Sequence, residues 1–121
     1  MARSAEDLKK QWLASLAHER RASPLTLRAY GDDAERFITF LHGHLGRAIN
    51  EKSLAGLVPA DIRAFITARR AAGLGAKGVQ RALAAIRSFF RYLARENVLQ
   101  NAAARSVRTP RVPRGLPRPL S

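Results

Sequence analysis

Few side chains in this sequence are spaced for bond-making chemistry. His18-Glu19-Arg20-Arg21 contains an H-x-x-R pattern. It falls where a helical segment ends, and cations there offset the negative end of the helix dipole. His42-Gly43-His44 brings two histidines together, but no thiol or carboxylate accompanies them at metal-ligand spacing. Tyr30 recurs with one apolar stripe and Tyr92 borders another, so packing accounts for both. Gly73-Leu74-Gly75-Ala76-Lys77-Gly78 is glycine-rich, yet it has neither the spacing of a phosphate loop nor a preceding strand, and it reads as a turn between helices. No two carboxylates are set up for acid–base work. The chain is therefore expected to carry no catalytic residue, no metal site, no cofactor and no small-molecule substrate site.

What the sequence does hold is an uneven distribution of cations. The formal net charge is +13. Residues 1–61 carry 9 Lys+Arg against 8 Asp+Glu, whereas residues 62–121 carry 13 against a single acid, Glu96. A codon bias toward arginine would raise the first number but would not remove the acids. A field this lopsided attracts a polyanion.

The segment from Lys77 to Arg95 concentrates the effect. On a helical wheel Val79, Leu83, Ile86, Phe89, Phe90 and Leu93 share one side. Lys77, Arg81, Ala84, Ser88, Arg91 and Arg95 fall within about 40° of the opposite direction, with Arg87 on the flank. That stripe would run about 27 Å at 1.5 Å per residue, with four cations and no acid. A solvated helix face usually mixes signs for i,i+4 pairing. The helix has the diameter of a major-groove reader. Its positive N-terminal dipole end lies near Lys77 and Arg81, the two cations best placed to reach bases or phosphates. An earlier helix start offers Ser23, Thr26 and Arg28, two short donors and one long cation.

Four helical segments must position these groups. The first runs from about Ser4 to Arg20, with Ser4 as N-cap and Leu8, Trp12, Leu13 and Leu16 in register. The second is placed at 24–44. Ser23 caps it, Pro24 takes the first helical position, and Leu27, Tyr30, Ala34, Phe37, Ile38, Leu41 and Leu45 line one face. Residues 46–58 lack a sustained period and read as a loop with room for a short turn. The third spans roughly 59–72, burying Ile62, Phe65, Ile66 and the stem of Arg69, and stops at Gly73. The fourth is the cationic segment itself. Asn101–Arg105 suits one more short helix. From Arg108 onward, four prolines in ten residues favour an extended cationic strap.

A length of 121 residues suits one domain with a single core. A helical domain over 1–106 and an Arg/Pro-rich linker over 107–121 are expected. There is no cysteine, so no disulfide framework. No apolar run approaches a membrane span, and no h-region of a signal peptide is legible, which together suit a cytoplasmic protein.

The ordered motifs resemble a known family. Ser23-Pro24-Leu25-Thr26-Leu27-Arg28-Ala29-Tyr30, then Asp33, Phe37 and Phe40-Leu41, resembles the second helix of the tyrosine recombinases. Ala84-Ala85-Ile86-Arg87-Ser88-Phe89-Phe90-Arg91-Tyr92-Leu93 looks like that family's fourth helix, and Asn97-Val98-Leu99-Gln100-Asn101-Ala102-Ala103 like its exit toward a linker. The likeness is closest to the Xer recombinases, their XerC branch in particular. It implies an all-α, SAM-like core-binding domain of four main helices that forms half of a clamp on a duplex DNA half-site. The parent would assemble as a tetrameric synapse of recombinase subunits for chromosome dimer resolution. The resemblance points to Thr26, Arg28, Lys77 and Arg81 as DNA contacts, with Arg87 and Ser88 at further matching positions; Ser23 at the helix start and Arg91 on the cationic stripe join them as candidates from the residue pattern itself. The family's catalytic arginines, lysine, histidines and tyrosine belong to a second domain, so none is expected here. Gly78 stands where relatives often carry a polar side chain, and Asn101-Ala102 replaces the family's Asn-Pro. The rival readings are a phage-type integrase fragment, an autonomous helix-turn-helix regulator using the third and fourth segments, and a non-enzymatic adaptor working through the basic tail.

Overall fold

The computed structural model describes residues 3–109. The expected cationic strap beyond Thr109 lies outside the described residues. The helices are α1 (Ala5–His18), α2 (Pro24–Leu45), α3 (Glu51–Ala55), α4 (Pro59–Ala71), α5 (Ala76–Arg95) and α6 (Ala103–Ser106). α1, α2, α4 and α5 are the four long ones. Among the described residues β pairing is limited to one isolated antiparallel bridge, Ser4 to Asn50. Its bonds, Ala5 N–H to Ile49 O (2.9 Å) and Glu51 N–H to Arg3 O (3.2 Å), tie the start of α1 to the start of α3.

The caps follow from local chemistry. Ser4 Oγ accepts the Asp7 N–H (3.1 Å) and Ser23 Oγ accepts the Thr26 N–H (3.1 Å), each satisfying a donor that the first helical turn leaves orphaned. α1 stops two residues before the expected Arg20. Arg21 turns to a positive φ of 51°, and the Ala22 N–H reaches back to Leu16 O (3.0 Å), closing the end of the helix. Gly73, at φ 103°, reverses the chain after α4 in a conformation open to glycine and costly to other residues.

The span expected to be a loop holds α3. Asn50 Oδ1 accepts the Ser53 N–H (3.1 Å) while Ser53 Oγ accepts the Asn50 N–H (3.3 Å). This reciprocal capping stabilises a helix of five residues, which is too short to show a period.

α5 packs against α1, α2, α4 and α6 together. Its inward face buries Val79, Ala82, Leu83, Ala85, Ile86, Phe89, Phe90 and Leu93, including every apolar position expected from the wheel. Aromatic rings knit the helices together. Trp12 stacks on Tyr30 (centroids 6.1 Å apart) and tilts against Phe89 (5.2 Å), and Phe37 meets Phe65 edge-on (5.2 Å). On α4, Ile62 and Phe65 are buried as expected. Arg69 lies half-buried along its stem, with Nε shielded and unpartnered among the described residues.

Asn101 fixes the exit. Its Nδ2 donates to Leu54 O (2.9 Å), Ala55 O (3.1 Å) and Leu57 O (2.9 Å), and its Oδ1 accepts the Ala103 N–H (2.8 Å). The side chain therefore makes the turn here without the family's following proline. Leu83 is fully buried at the centre of α5. Leu83→Ala should lower the unfolding free energy by about 2–5 kcal/mol in denaturant titration. A loss under about 1 kcal/mol would contradict this packing.

Candidate nucleic-acid interface

The first cluster lies at the start of α2. Ser23, Thr26 and Arg28 are all exposed. Ser23 Oγ is committed to the helix cap and also donates to Thr26 Oγ1 (3.0 Å), so the two short hydroxyls are brought together. Arg28 makes no hydrogen bond or ion pair among the described residues. Leu25 stands beside them 78% exposed, the most exposed large hydrophobic of the described residues.

The second cluster lies at the start of α5. No side chain caps this helix, and Gly75 occupies the N-cap. Lys77 is exposed and unpartnered among the described residues. Leu74 folds back over the first turn, where a Cβ on Gly78 would stand 2.4 Å from Leu74 Cδ1. The glycine leaves room for the Leu74 side chain on this turn.

Arg81 differs from the expectation of a free exposed cation. Its Nε donates to Asp33 Oδ2 (2.8 Å) and its Nη2 to Asp33 Oδ1 (3.0 Å). The Asp33 side chain is 1% exposed and that of Arg81 47% exposed. Hydrogen bonding to this carboxylate raises the Arg81 pKa above its ordinary value, against the effect of burial. The pair locks α2 to α5 and aims a fixed guanidinium outward. Fork-on-carboxylate pairing is the strong, directional form of the interaction. Sequence reasoning noted Asp33 as a motif residue but missed this role. The available signal was its position four residues before the core residue Phe37.

Two other candidates turn away from this surface. Arg87 donates to Ala104 O (2.9 Å), to Thr109 Oγ1 (2.8 Å) and to Val107 O, so its fork pins the exit segment. Ser88 Oγ accepts the Trp12 indole N–H (3.1 Å) and is half-buried under α1. Arg95 is drawn to Ser15 Oγ (3.2 Å) of α1 and to Glu19 Oε1 (3.5 Å) at its C-cap. The expected continuous stripe is therefore cut in two. α1 crosses it at Ser88, which gives the Trp12 indole N–H an acceptor where the ring packs on Phe89. Arg91 stays exposed beyond the cut.

The side chains weighed for catalysis have structural partners. Tyr30 stacks on Trp12. Tyr92 is half-buried, and burial pushes its phenol pKa up, against ionisation to a nucleophile. His44 Nε2 lies 3.0 Å from Asp61 Oδ1 and its ring stacks on Phe40, while Asp61 Oδ2 accepts the Val58 N–H (2.9 Å) at the start of α4. His18 is exposed in the last turn of α1. Among the described residues no three His, Cys, Asp or Glu gather to hold a metal ion, and no helix is long and apolar enough to cross a membrane.

These features define a helical module that presents cations at two helix starts. Comparison with known proteins gives the class. The fold matches the crystal structure of the N-terminal domain of a phage integrase/site-specific recombinase from Haloarcula marismortui with a TM-score of 0.74 at 15% identity, covering 91% of this chain and 99% of that one. Residues 10–97 match the model of the phage integrase N-terminal SAM-like domain, and the chain belongs to that family. It is 46% identical over 113 residues to tyrosine recombinase XerC of Mesorhizobium japonicum, covering 93% of this chain and 36% of that protein. It is 47% identical over 109 residues to tyrosine recombinase XerC of a Methylobacterium species, covering 90% of this chain and 34% of that protein. The chain thus spans about a third of the length of these relatives.

Removing Arg81 would leave the buried Asp33 carboxylate unpaired. Arg81→Ala should therefore destabilise the fold by about 1–3 kcal/mol. In a double-mutant cycle with Asp33→Ala the losses should be less than additive. Additive losses would show that the pair is not coupled.

Proposed function

We propose that this chain is the DNA-binding domain of a Xer-type tyrosine recombinase and grips the duplex of a recombination half-site. The observation that carries the proposal is the pairing of fixed and free cations at the starts of two packed helices. Arg28 and Lys77 stand unpartnered, while Arg81 is held by Asp33 with Nη1 unpartnered among the described residues. The Ser23 and Thr26 hydroxyls and Arg28 are all exposed at the start of α2, and an arginine in fixed geometry suits a phosphate or a guanine edge. The family membership and the XerC relatives support the same reading.

In this proposal the domain supplies grip and register but no bond-making. Arg87 and Ser88 act indirectly: Arg87 holds the exit segment and Ser88 seats α1. The segment over 107–121 links this domain to a second one that carries the strand-exchange chemistry through a phosphotyrosyl intermediate. The full protein works in the cytoplasm as a tetrameric synapse on DNA and resolves chromosome dimers.

Gel shift on duplex DNA across a salt series tests the binding. With about six phosphates contacted, log K should fall against log[salt] with a slope of about −5. Lys77→Ala should weaken binding and flatten the slope by about one while helicity by circular dichroism stays at the wild-type level. Absence of salt-sensitive duplex binding at low salt would refute the proposal.

A further inference from the structure

Beyond the point where α1 crosses α5, the remaining cations gather in a groove of their own. The groove has a volume of about 420 Å³ and lies between the end of α1, the second half of α5 and the residues leading into α6. Arg20, Arg87, Arg91, Arg95 and Arg105 line it together with Phe90, and no acid does. Two of the five have internal duties: Arg87 holds the exit carbonyls, and Arg95 faces Ser15 and Glu19. Arg20, Arg91 and Arg105 are exposed and make no hydrogen bond or ion pair among the described residues.

Arg20, Arg91 and Arg105, brought together from the α1–α2 turn, α5 and α6, concentrate positive charge that an anion seated among them would offset. Their chemistry narrows that anion. A guanidinium fork matches the paired oxygens of a phosphate, and arginine is less strongly hydrated than lysine. A single carboxylate would leave most of the charge unmet, whereas successive phosphodiesters can address the three in turn. Arg91 lies about 21 Å along α5 from Lys77. That is less than one turn of B-DNA, about 34 Å, so one duplex is long enough to meet both.

We propose that this arginine groove is a second phosphate site, which takes the sugar–phosphate backbone of the duplex at a place separate from the starts of α2 and α5. It rests on the reading of the domain as a duplex binder and adds a contact that fixes the orientation of the DNA. The site reads no base, since its groups are those that position a backbone.

The test compares three forms of the 121-residue chain: wild type, Arg20→Gln/Arg91→Gln/Arg105→Gln, and a charge-matched control, Arg47→Gln/Arg63→Gln/Arg70→Gln, whose arginines are exposed elsewhere. Thermal unfolding is followed in inorganic phosphate and in chloride at equal ionic strength, and duplex binding across a salt series. Phosphate should raise the Tm of wild type and control but not that of the groove variant. The groove variant should also lose about two to three from the salt slope, at about 0.9 per phosphate, and the control less than one. Loss of the phosphate effect with an unchanged slope would show a site for free phosphate and overturn the backbone assignment. Equal losses in groove variant and control would overturn the site altogether. Duplex binding that stays sensitive to Lys77→Ala but indifferent to the groove variant removes the groove alone. A wild type with no salt-sensitive duplex binding removes the underlying reading as well.

Discussion

The domain depends on keeping the apolar face of α5 dry on every side at once. That face holds two phenylalanines, two alanines, two leucines, a valine and an isoleucine, and four other helices close over it. Apolar burial is the dominant favourable term for a domain of this size. Once α5 is central, the fate of each of its polar residues is decided by which neighbour lies above it. Residues near its start remain open to solvent. In its second half Ser88 and Arg95 meet α1 or its cap and Arg87 meets the exit segment.

This constraint sorts chemically similar arginines into different roles. Arg81 meets a buried carboxylate and becomes a strut with an exposed end. Arg87 meets backbone carbonyls left open around α6 and holds the exit in place. Arg95 meets a serine of α1 and the glutamate at its C-cap. Arg91 meets none of these and remains available. The Asp33–Arg81 pair matters most for function, because it couples the hydrophobic core to the surface proposed to face DNA. A guanidinium fixed in advance loses less freedom on binding than a free one.

Much of this was legible in the sequence. The four long helices, the serine caps of α1 and α2 and the buried face of α5 follow from spacing and cap chemistry, and the burial of Val79, Leu83, Ile86, Phe89, Phe90 and Leu93 agrees with the wheel. The ordered motifs pointed to the right family. What the wheel could not give was the path of a neighbouring helix. Ser88 sits in the polar stripe by angle, yet it receives the Trp12 indole N–H because α1 crosses there. Arg87 could not be assigned from its flank position, since its carbonyl partners lie 17 and 20 residues further on. α3 escaped because five residues show no period, although Asn50 and Ser53 carry its capping signal. Arg20 and Arg105 drew no attention as site residues, because only the folded chain sets them beside Arg91.

The proposed grip on duplex DNA rests on contacts at the starts of α2 and α5. Amide chemical-shift mapping on the isotope-labelled chain, titrated with a short duplex at low salt, tests it most directly. The largest shifts should fall on Ser23–Arg28 and on Lys77–Arg81, and they should reverse as salt is added. Shifts confined to α3 and α4, with those two helix starts silent, would contradict it.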